Sequence, residues 1–355
     1  ADRALTSEEQ YKFDVITKVI NKQIKPGLAA KLLDISTRQV RRLRVAVEDD
    51  GVQAVIHGLK GKQSNHHIEA ALKEKVTAVI KETYPDFKPS FATEKLADIH
   101  AIRISPETTR LWMMEAGLWK SRKQKVASYH AWRPRKEYFG ELEQFDGSYH
   151  YWLEERFRDI EGNPIELCLL AAIDDATGKI TKAQFADNEG VIAVFTFWKT
   201  YVCGIGKPCA IYLDKFSTYK ITHKNAVDNH ALITQFQRAM ESLAITLIPA
   251  HSPQAKGRVE RLFETLQDRL VKEMRLAKIN TPRQANIFLT EVFIPSFNKR
   301  FAILATKDGN VHRPLTPADT ENLNRIFSIQ SIRKVNNDFT VQFKNNWYQL
   351  LELQP

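Results

Sequence analysis

The sequence predicts a multidomain α+β protein: helical units first, then an α/β core with a mixed five-stranded sheet, then a β-rich end. Three observations lead there. Capped helical periodicity fills the first third of the chain, and strand-like runs alternate with helical ones between residues 142 and 270. The charge is also uneven: residues 1–137 hold 26 Lys+Arg against 17 Asp+Glu, which is +9 of the formal +10, so the other 218 residues are nearly neutral. A basic half joined to a neutral half points to a polyanion-binding arm on a separate working domain, the alternative being a solvated basic surface. At 355 residues, 43% hydrophobic and 26% charged, the chain has the size and composition of a globular protein of several domains. No apolar run approaches the ~18 residues of a membrane span, and no signal-peptide pattern is visible, so the expected setting is cytoplasmic. Cys168, Cys203 and Cys209 form no CxxC pair and read as reduced core residues, with neither zinc nor disulfides expected.

The N-terminal elements follow in order. Ser7 to Asn21 reads as a helix with Ser7 as N-cap and Phe13, Ile16, Val19 and Ile20 apolar, broken at Pro26-Gly27. Leu28 to Leu33 is a short helix, Asp34-Ile-Ser-Thr a turn, and Thr37 to Val47 a third helix bearing Arg38, Gln39, Arg41, Arg42 and Arg44. This is the helix-turn-helix pattern, whose last helix enters the major groove, and Arg and Gln suit guanine and adenine edges. The bland reading is a three-helix bundle with a solvated basic face. A linker, Val52 to His67, precedes a second helical unit that is winged or tri-helical. Its helices are Ile68 to Lys81, Thr93 to His100 and a Ser105-capped helix to Glu115. Arg110 is its expected DNA contact, and Trp112 and Trp119 read as core. The connector after it carries Lys120, Arg122, Lys123, Lys125, Arg133, Arg135 and Lys136 with Tyr129, His130 and Trp132 interleaved, a composition fit to track a phosphate backbone or simply to be solvated.

The core reads as βββ-α-β-α-β-α. Leu142 to Tyr149 alternates, Ile165 to Ile173 is the continuous apolar run of a buried central strand, and Lys179 to Phe185 follows a Thr177-Gly178 turn. A helix from Asn188 to Val202, a strand Pro208 to Leu213, a helix Ala231 to Ser242 and a strand Ile245 to Ile248 come next. The loop His251 to Gly257 then opens an amphipathic helix with Val259, Leu262, Phe263, Leu266 and Leu270 on one face. Asp146 lies inside an apolar strand, where an unpaired carboxylate is costly, and Asp214 ends an apolar one. The two strands can lie side by side, and Glu260, in the first turn of the helix, can reach the same edge; taken alone, it needs only the helix dipole to explain it. Three oxygen ligands without Cys or His suit Mg²⁺ or Mn²⁺, and two such ions would serve phosphodiester chemistry. Asp174 and Asp175 read as a turn pair with a minor claim on the site. Glu264 shares the face of Glu260, Asp228 sits in a long loop, and His251 has no catalytic role. Lys256 and Arg258 are candidate phosphate contacts.

Gln144-Phe-Asp146-Gly, Tyr212-Leu-Asp214 and Ser252-Pro-Gln-Ala-Lys-Gly-Arg-Val-Glu260 together resemble the three blocks of the DDE transposases of bacterial insertion sequences, whose core is retroviral-integrase-like and RNase H-like. The last block is the most specific, and Ile173-Asp-Asp-Ala-Thr-Gly178 fits the second strand and turn of that core. The resemblance spans roughly residues 8 to 350. It implies that Asp146, Asp214 and Glu260 hold two Mg²⁺ (or Mn²⁺) ions, cut the ends of an element and join them to target DNA. It also implies double-stranded DNA as partner, a homo-oligomer of two or more protomers, no membrane, and a place at the bacterial nucleoid. The rival functions are a DNA-binding protein with an inactive core and a nuclease of the same fold that does not join strands.

Thr281 to Phe301 reads as two helices, Pro314 and Pro317 break the chain, and Ile329 to Leu353 alternates around a Lys344-Asn-Asn turn, as in part of a small β-barrel of the kind that follows integrase cores. The expected domains are 1–56 (helix-turn-helix), 57–67 (linker), 68–119 (second helical unit), 120–137 (basic linker), 138–280 (RNase H-like core), 281–324 (helical extension) and 325–355 (small β-barrel, whole or in part).

Overall fold

A computed structural model describes residues 5–57, 68–121, 133–213, 229–249 and 257–351. The chain divides into two compact units, 1–121 and 122–355, and the division falls inside the expected basic linker.

In the first unit, α1 (Ser7–Ile20), α2 (Pro26–Leu33) and α3 (Thr37–Asp50) enclose a core of Val15, Ile16, Val19, Ala29, Val40, Leu43 and Val47. The cap of α1 is Thr6, not Ser7: its hydroxyl accepts from Glu9 N–H while the Glu9 carboxylate accepts from Thr6 N–H, a reciprocal capping box. Pro26 begins α2, since proline at the first helical position loses no hydrogen bond. Asp34 turns the chain with a left-handed φ of 52°, and Ser36 caps α3 by accepting from Gln39 N–H. A further group of helices, α4 (Ala70–Thr83), α5 (Pro89–His100) and α6 (Pro106–Glu115), packs around Tyr84, Phe87, Phe91 and Leu96. Trp112 and Trp119, expected in this core, are only half-buried; stacked Phe87 and Phe91 occupy it.

The second unit is a sheet with helices on both faces. β1 (Leu142–His150), β2 (Leu167–Asp174), β3 (Ile180–Ala186), α7 (Val191–Gly204), β4 (Ala210–Leu213), α8 (Asn229–Ser242), β5 (Thr246–Pro249) and α9 (Gly257–Leu276) follow in chain order. The strands stand in the order β3-β2-β1-β4-β5, β1 to β3 antiparallel and β4 and β5 parallel to β1. All eight residues of β2 are buried, as its continuous apolar run requires. One face packs on α7, α8 and α12 (Pro317–Ile326) through Phe145, Trp198, Phe236 and Leu323. The other packs on α9, α10 (Pro282–Phe288) and α11 (Ile294–Phe301) through Leu169, Phe263, Leu266 and Phe297. Pro317, read from the sequence as a break, is the first residue of α12, behind a Thr316–Asp319 capping box. Of the cysteines Cys168 is buried, but Cys203 is exposed on the last turn of α7.

The free edge of β3 is closed by side chains. Asn286 accepts from Phe185 N–H (2.7 Å) and donates to its carbonyl (3.2 Å); Asn298 does the same for Ile180 (2.8 and 2.9 Å). Twelve residues apart, the two asparagines would stand about 120° out of phase on a helix of about 3.6 residues per turn. A single π turn, Leu289–Phe293, lies between them and winds less per residue, returning both to the face of β3.

At the C-terminal end β6 (Thr340–Phe343) and β7 (Asn346–Gln349) form a two-stranded hairpin, with φ of 48° and 62° at Lys344 and Asn345. The expected β-barrel is not formed among the described residues: Ile332 and Val335, which the alternation placed in a strand, pair with nothing regular and are exposed.

Candidate active site

β1 is the middle strand, and its alternation sends two sets of side chains to opposite faces. Gln144, Asp146 and Ser148 share the face covered by α9. Two contacts fix α9 along it: Gln144 Oε1 accepts from Val259 N–H (3.3 Å), and Gln267 Nε2 donates to Ser148 Oγ (3.2 Å). Asp146, half-buried, lies midway between these anchors. Glu260 follows the buried Val259 in the first turn and is exposed; Glu264 is one turn further on the same stripe and also exposed. Asp146 therefore lies on the face of β1 that α9 covers, and Glu260 lies in the first turn of that helix. β4 runs parallel to β1 with Tyr212 opposite Gln144, and Leu213 is its last described residue. Asp214, Asp228, His251 and Lys256 lie outside the described residues, as do Arg122, Lys123 and Lys125. Among the described residues no three His, Cys, Asp or Glu side chains are close enough to hold a metal ion.

Behind the carboxylates lies a polar layer that the sequence reading left as a turn. Asp174 and Asp175 are fully buried. Asp174 accepts from the backbone N–H and hydroxyl of Thr177 (2.7 and 2.6 Å) and from Gly140 N–H (2.9 Å), and so builds the turn after β2. Asp175 gathers Gln144 Nε2 (2.7 Å), Arg258 Nη1 (2.6 Å), Lys136 N–H (2.9 Å) and the guanidinium of Arg133. Arg258 Nη2 also donates to the Arg133 carbonyl (3.1 Å), and Arg135 donates to the carbonyls of Asp175 and Ala176. Lys136 Nζ pairs with Glu141 (3.0 Å), so four cations expected to face phosphates are engaged with the protein itself. A continuous apolar strand ending in two acids, and a Gln two residues before Asp146, were the available signals.

On the opposite face of β1, Glu143 is enclosed beneath Thr181, whose hydroxyl donates to it (2.6 Å). Burial first, and then the neighbouring Asp174, push the Glu143 carboxyl well above the usual range, so it is neutral. His312 lies 3.9 Å away and is pushed below its ordinary value by burial. Its Nδ1–H donates to Asn310 Oδ1 (2.6 Å), leaving Nε2 to accept from the Tyr201 hydroxyl (2.8 Å). Gly140 has φ of +85°, and a Cβ there would stand 2.2 Å from the His312 ring, so only glycine fits.

In the first unit Arg38, Arg41, Arg42 and Arg44 are exposed on α3 and Gln39 is half-buried; Arg44 lies 3.8 Å from Glu48. Arg110 is held by Glu107 (2.5 and 2.7 Å), and Lys120 is exposed.

No family model matches the chain. Over 349 residues it is 38% identical to a putative transposase, y4bF, of Sinorhizobium fredii, covering 98% of this chain and 74% of that protein. It is 29% identical over 376 residues to the transposase for insertion sequence IS1202 of Streptococcus pneumoniae, covering 96% and 77%. Among solved structures, the HTLV-2 integrase catalytic core in complex with magnesium aligns at 16% identity and a TM-score of 0.32, over 44% of this chain and 90% of that one. The simian T-cell lymphotropic virus intasome aligns at 15% and 0.34, over 61% and 69%. The 38% match over nearly the whole chain shows a transposase, an enzyme of the polynucleotidyl transferase type. The chain belongs to the transposases of bacterial insertion sequences.

Proposed function

We propose that Asp146, Asp214 and Glu260 are the catalytic carboxylates of a transposase that cuts phosphodiesters at the ends of its element and transfers them to target DNA. The observation that supports this reading is the pair of hydrogen bonds, Gln144–Val259 and Ser148–Gln267, that seat α9 along the face of β1 bearing Asp146. Oxygen donors alone, without thiolate or imidazole, fit two Mg²⁺ or Mn²⁺ ions. Ions held by these carboxylates would supply activation of a water or a 3′-hydroxyl and stabilisation of the leaving oxygen. The chain's own part is to hold Asp146 from a strand and Glu260 from a helix start, where the dipole favours an anion. The exposed arginines of α3 contact terminal double-stranded DNA, and two protomers or more bring two ends together.

The test uses the full chain with Mg²⁺ and a duplex bearing the element's terminal sequence. Asp146→Asn, Asp214→Asn and Glu260→Gln should each reduce strand transfer by more than the about 10–100-fold typical of residues that only support a metal site. Parental activity in any of the three would remove that residue from the site. Cleavage without joining in the parent would favour the nuclease reading.

A further inference from the structure

We infer that Gln144, Asp175 and Arg258 form a positioning lock that sets Glu260 against Asp146; the inference rests on the catalytic reading above. The first turn of any helix leaves N–H groups without intrahelical partners, and a side chain from the preceding segment usually caps them. In α9 the Val259 N–H is instead capped by Gln144, which comes from β1 two residues before Asp146. The strand that carries one carboxylate therefore caps the helix that carries the other.

The opposite end of the same amide is fixed as well. Gln144 Nε2 donates to Asp175 Oδ1 at 2.7 Å, so a flipped amide would set its oxygen against a carboxylate and its NH₂ against the Val259 N–H. Arg258, two residues before Glu260, donates to that same Oδ1 at 2.6 Å. β1 and the start of α9 thus meet on a single buried atom. The lock has three independent strokes: strand to helix backbone, strand to Asp175, and helix to Asp175. Asp175 cannot drift, because Lys136 N–H and the Arg133 guanidinium complete its coordination and it is wholly removed from water. Gln144 and Asp175 are wholly buried, and with Arg258 they act through the placement of Asp146 and Glu260. A purely structural role would affect stability alone, whereas a positioning role affects turnover and metal binding while leaving DNA binding intact.

The experiment measures three quantities on the full chain: turnover in strand transfer on the terminal duplex, affinity for that duplex, and Mn²⁺ binding by the protein alone. Gln144→Ala should lower turnover and weaken Mn²⁺ binding each by about 10–100-fold, with duplex affinity within about twofold of the parent. Asn322→Ala, at an exposed side chain on α12, is the control and should keep turnover within about threefold. The inference is overturned if Gln144→Ala keeps turnover and Mn²⁺ affinity within about twofold, if its duplex affinity falls as far as its turnover, or if Asn322→Ala loses as much as Gln144→Ala. Asp146→Asn and Glu260→Gln are assayed alongside. Activity in those two would remove the catalytic reading itself; their inactivity beside an unaffected Gln144→Ala would remove only the lock.

Discussion

Replacing Asn298 by alanine tests how the edge of the core sheet is held. The side chain makes two hydrogen bonds to one residue of β3, accepting from Ile180 N–H at 2.8 Å and donating to the Ile180 carbonyl at 2.9 Å. Ile180 is 1% exposed, so water cannot easily replace either partner. Leaving a buried donor or acceptor unsatisfied costs about 1–3 kcal/mol, which puts the two together at about 2–6 kcal/mol. Asn286→Ala should cost a similar amount at Phe185. The two sites are five strand residues apart, about 17 Å, so the losses should add within about 0.5 kcal/mol. Urea unfolding gives the total, and amide exchange at residues 180 and 185 gives the location. Trp152 is a local probe, because its ring meets Phe185 edge-on at 5.9 Å. Asn322→Ala, an exposed asparagine on α12, serves as the control and should stay within about 0.5 kcal/mol. If Asn298→Ala also stays within that range, or if exchange at 180 is unchanged, the asparagines merely decorate the edge and the reasoning fails.

Other outcomes follow from the charged groups. Lys207 and Asp319 pair at 2.5 Å with side chains 9% and 14% exposed; Lys207→Met should destabilise by about 3 kcal/mol in thermal or urea unfolding. Burial acts to raise Asp319, but Lys207 and the Thr316 cap hold it below the usual carboxylate value, so this contribution is complete above about pH 4 and is lost as pH falls through the lowered value. Glu143 behaves in the opposite sense. Its folded value is raised, so its contribution is complete below about pH 4.3 and is lost as pH rises; Glu143→Gln should therefore gain in melting temperature over the parent at pH 8 compared with pH 4. His312 is lowered by burial, so nitrogen NMR should find it neutral with the proton on Nδ1 at pH 6.5, and a protonated ring at that pH would contradict the network. Arg41→Ala and Arg42→Ala should each weaken binding to the terminal duplex and reduce its log–log salt slope by about one; an unchanged slope would assign the contact elsewhere.

The sheet was legible because its strands differ in kind. Ile165 to Ile173 has no polar residue to face water except at its ends, so it had to be central, whereas the alternation in Leu142 to Tyr149 marked a strand with a separate task on each face. The caps of α3 and α6, Ser36 and Ser105, were equally open to reading or nearly so, because capping is local chemistry. Asp175 was not legible as more than a turn residue: its four partners come from positions 133, 136, 144 and 258, and only the fold makes them neighbours. For the same reason Arg258 looked like a free cation in a basic loop. The alternation near Ile332 was misleading because a period of two shows only that a strand could form, not that a partner strand exists to pair with it.

Glu143, Gln144 and Asp146 share one strand and answer to opposite faces, so the register of β1 decides whether there is a site at all. A slip of one residue that sent Gln144 into the place of Glu143 beneath Thr181 would set Phe145 against the helix start and turn Asp146 into the apolar layer around Phe197 and Trp198. Each of those placements is penalised on its own, and the three are penalised together. The strand pairing that completes the sheet therefore also governs the proposed chemistry: with β1 out of register, the face under α9 would present Phe145 and Gly147 in place of Gln144 and Asp146.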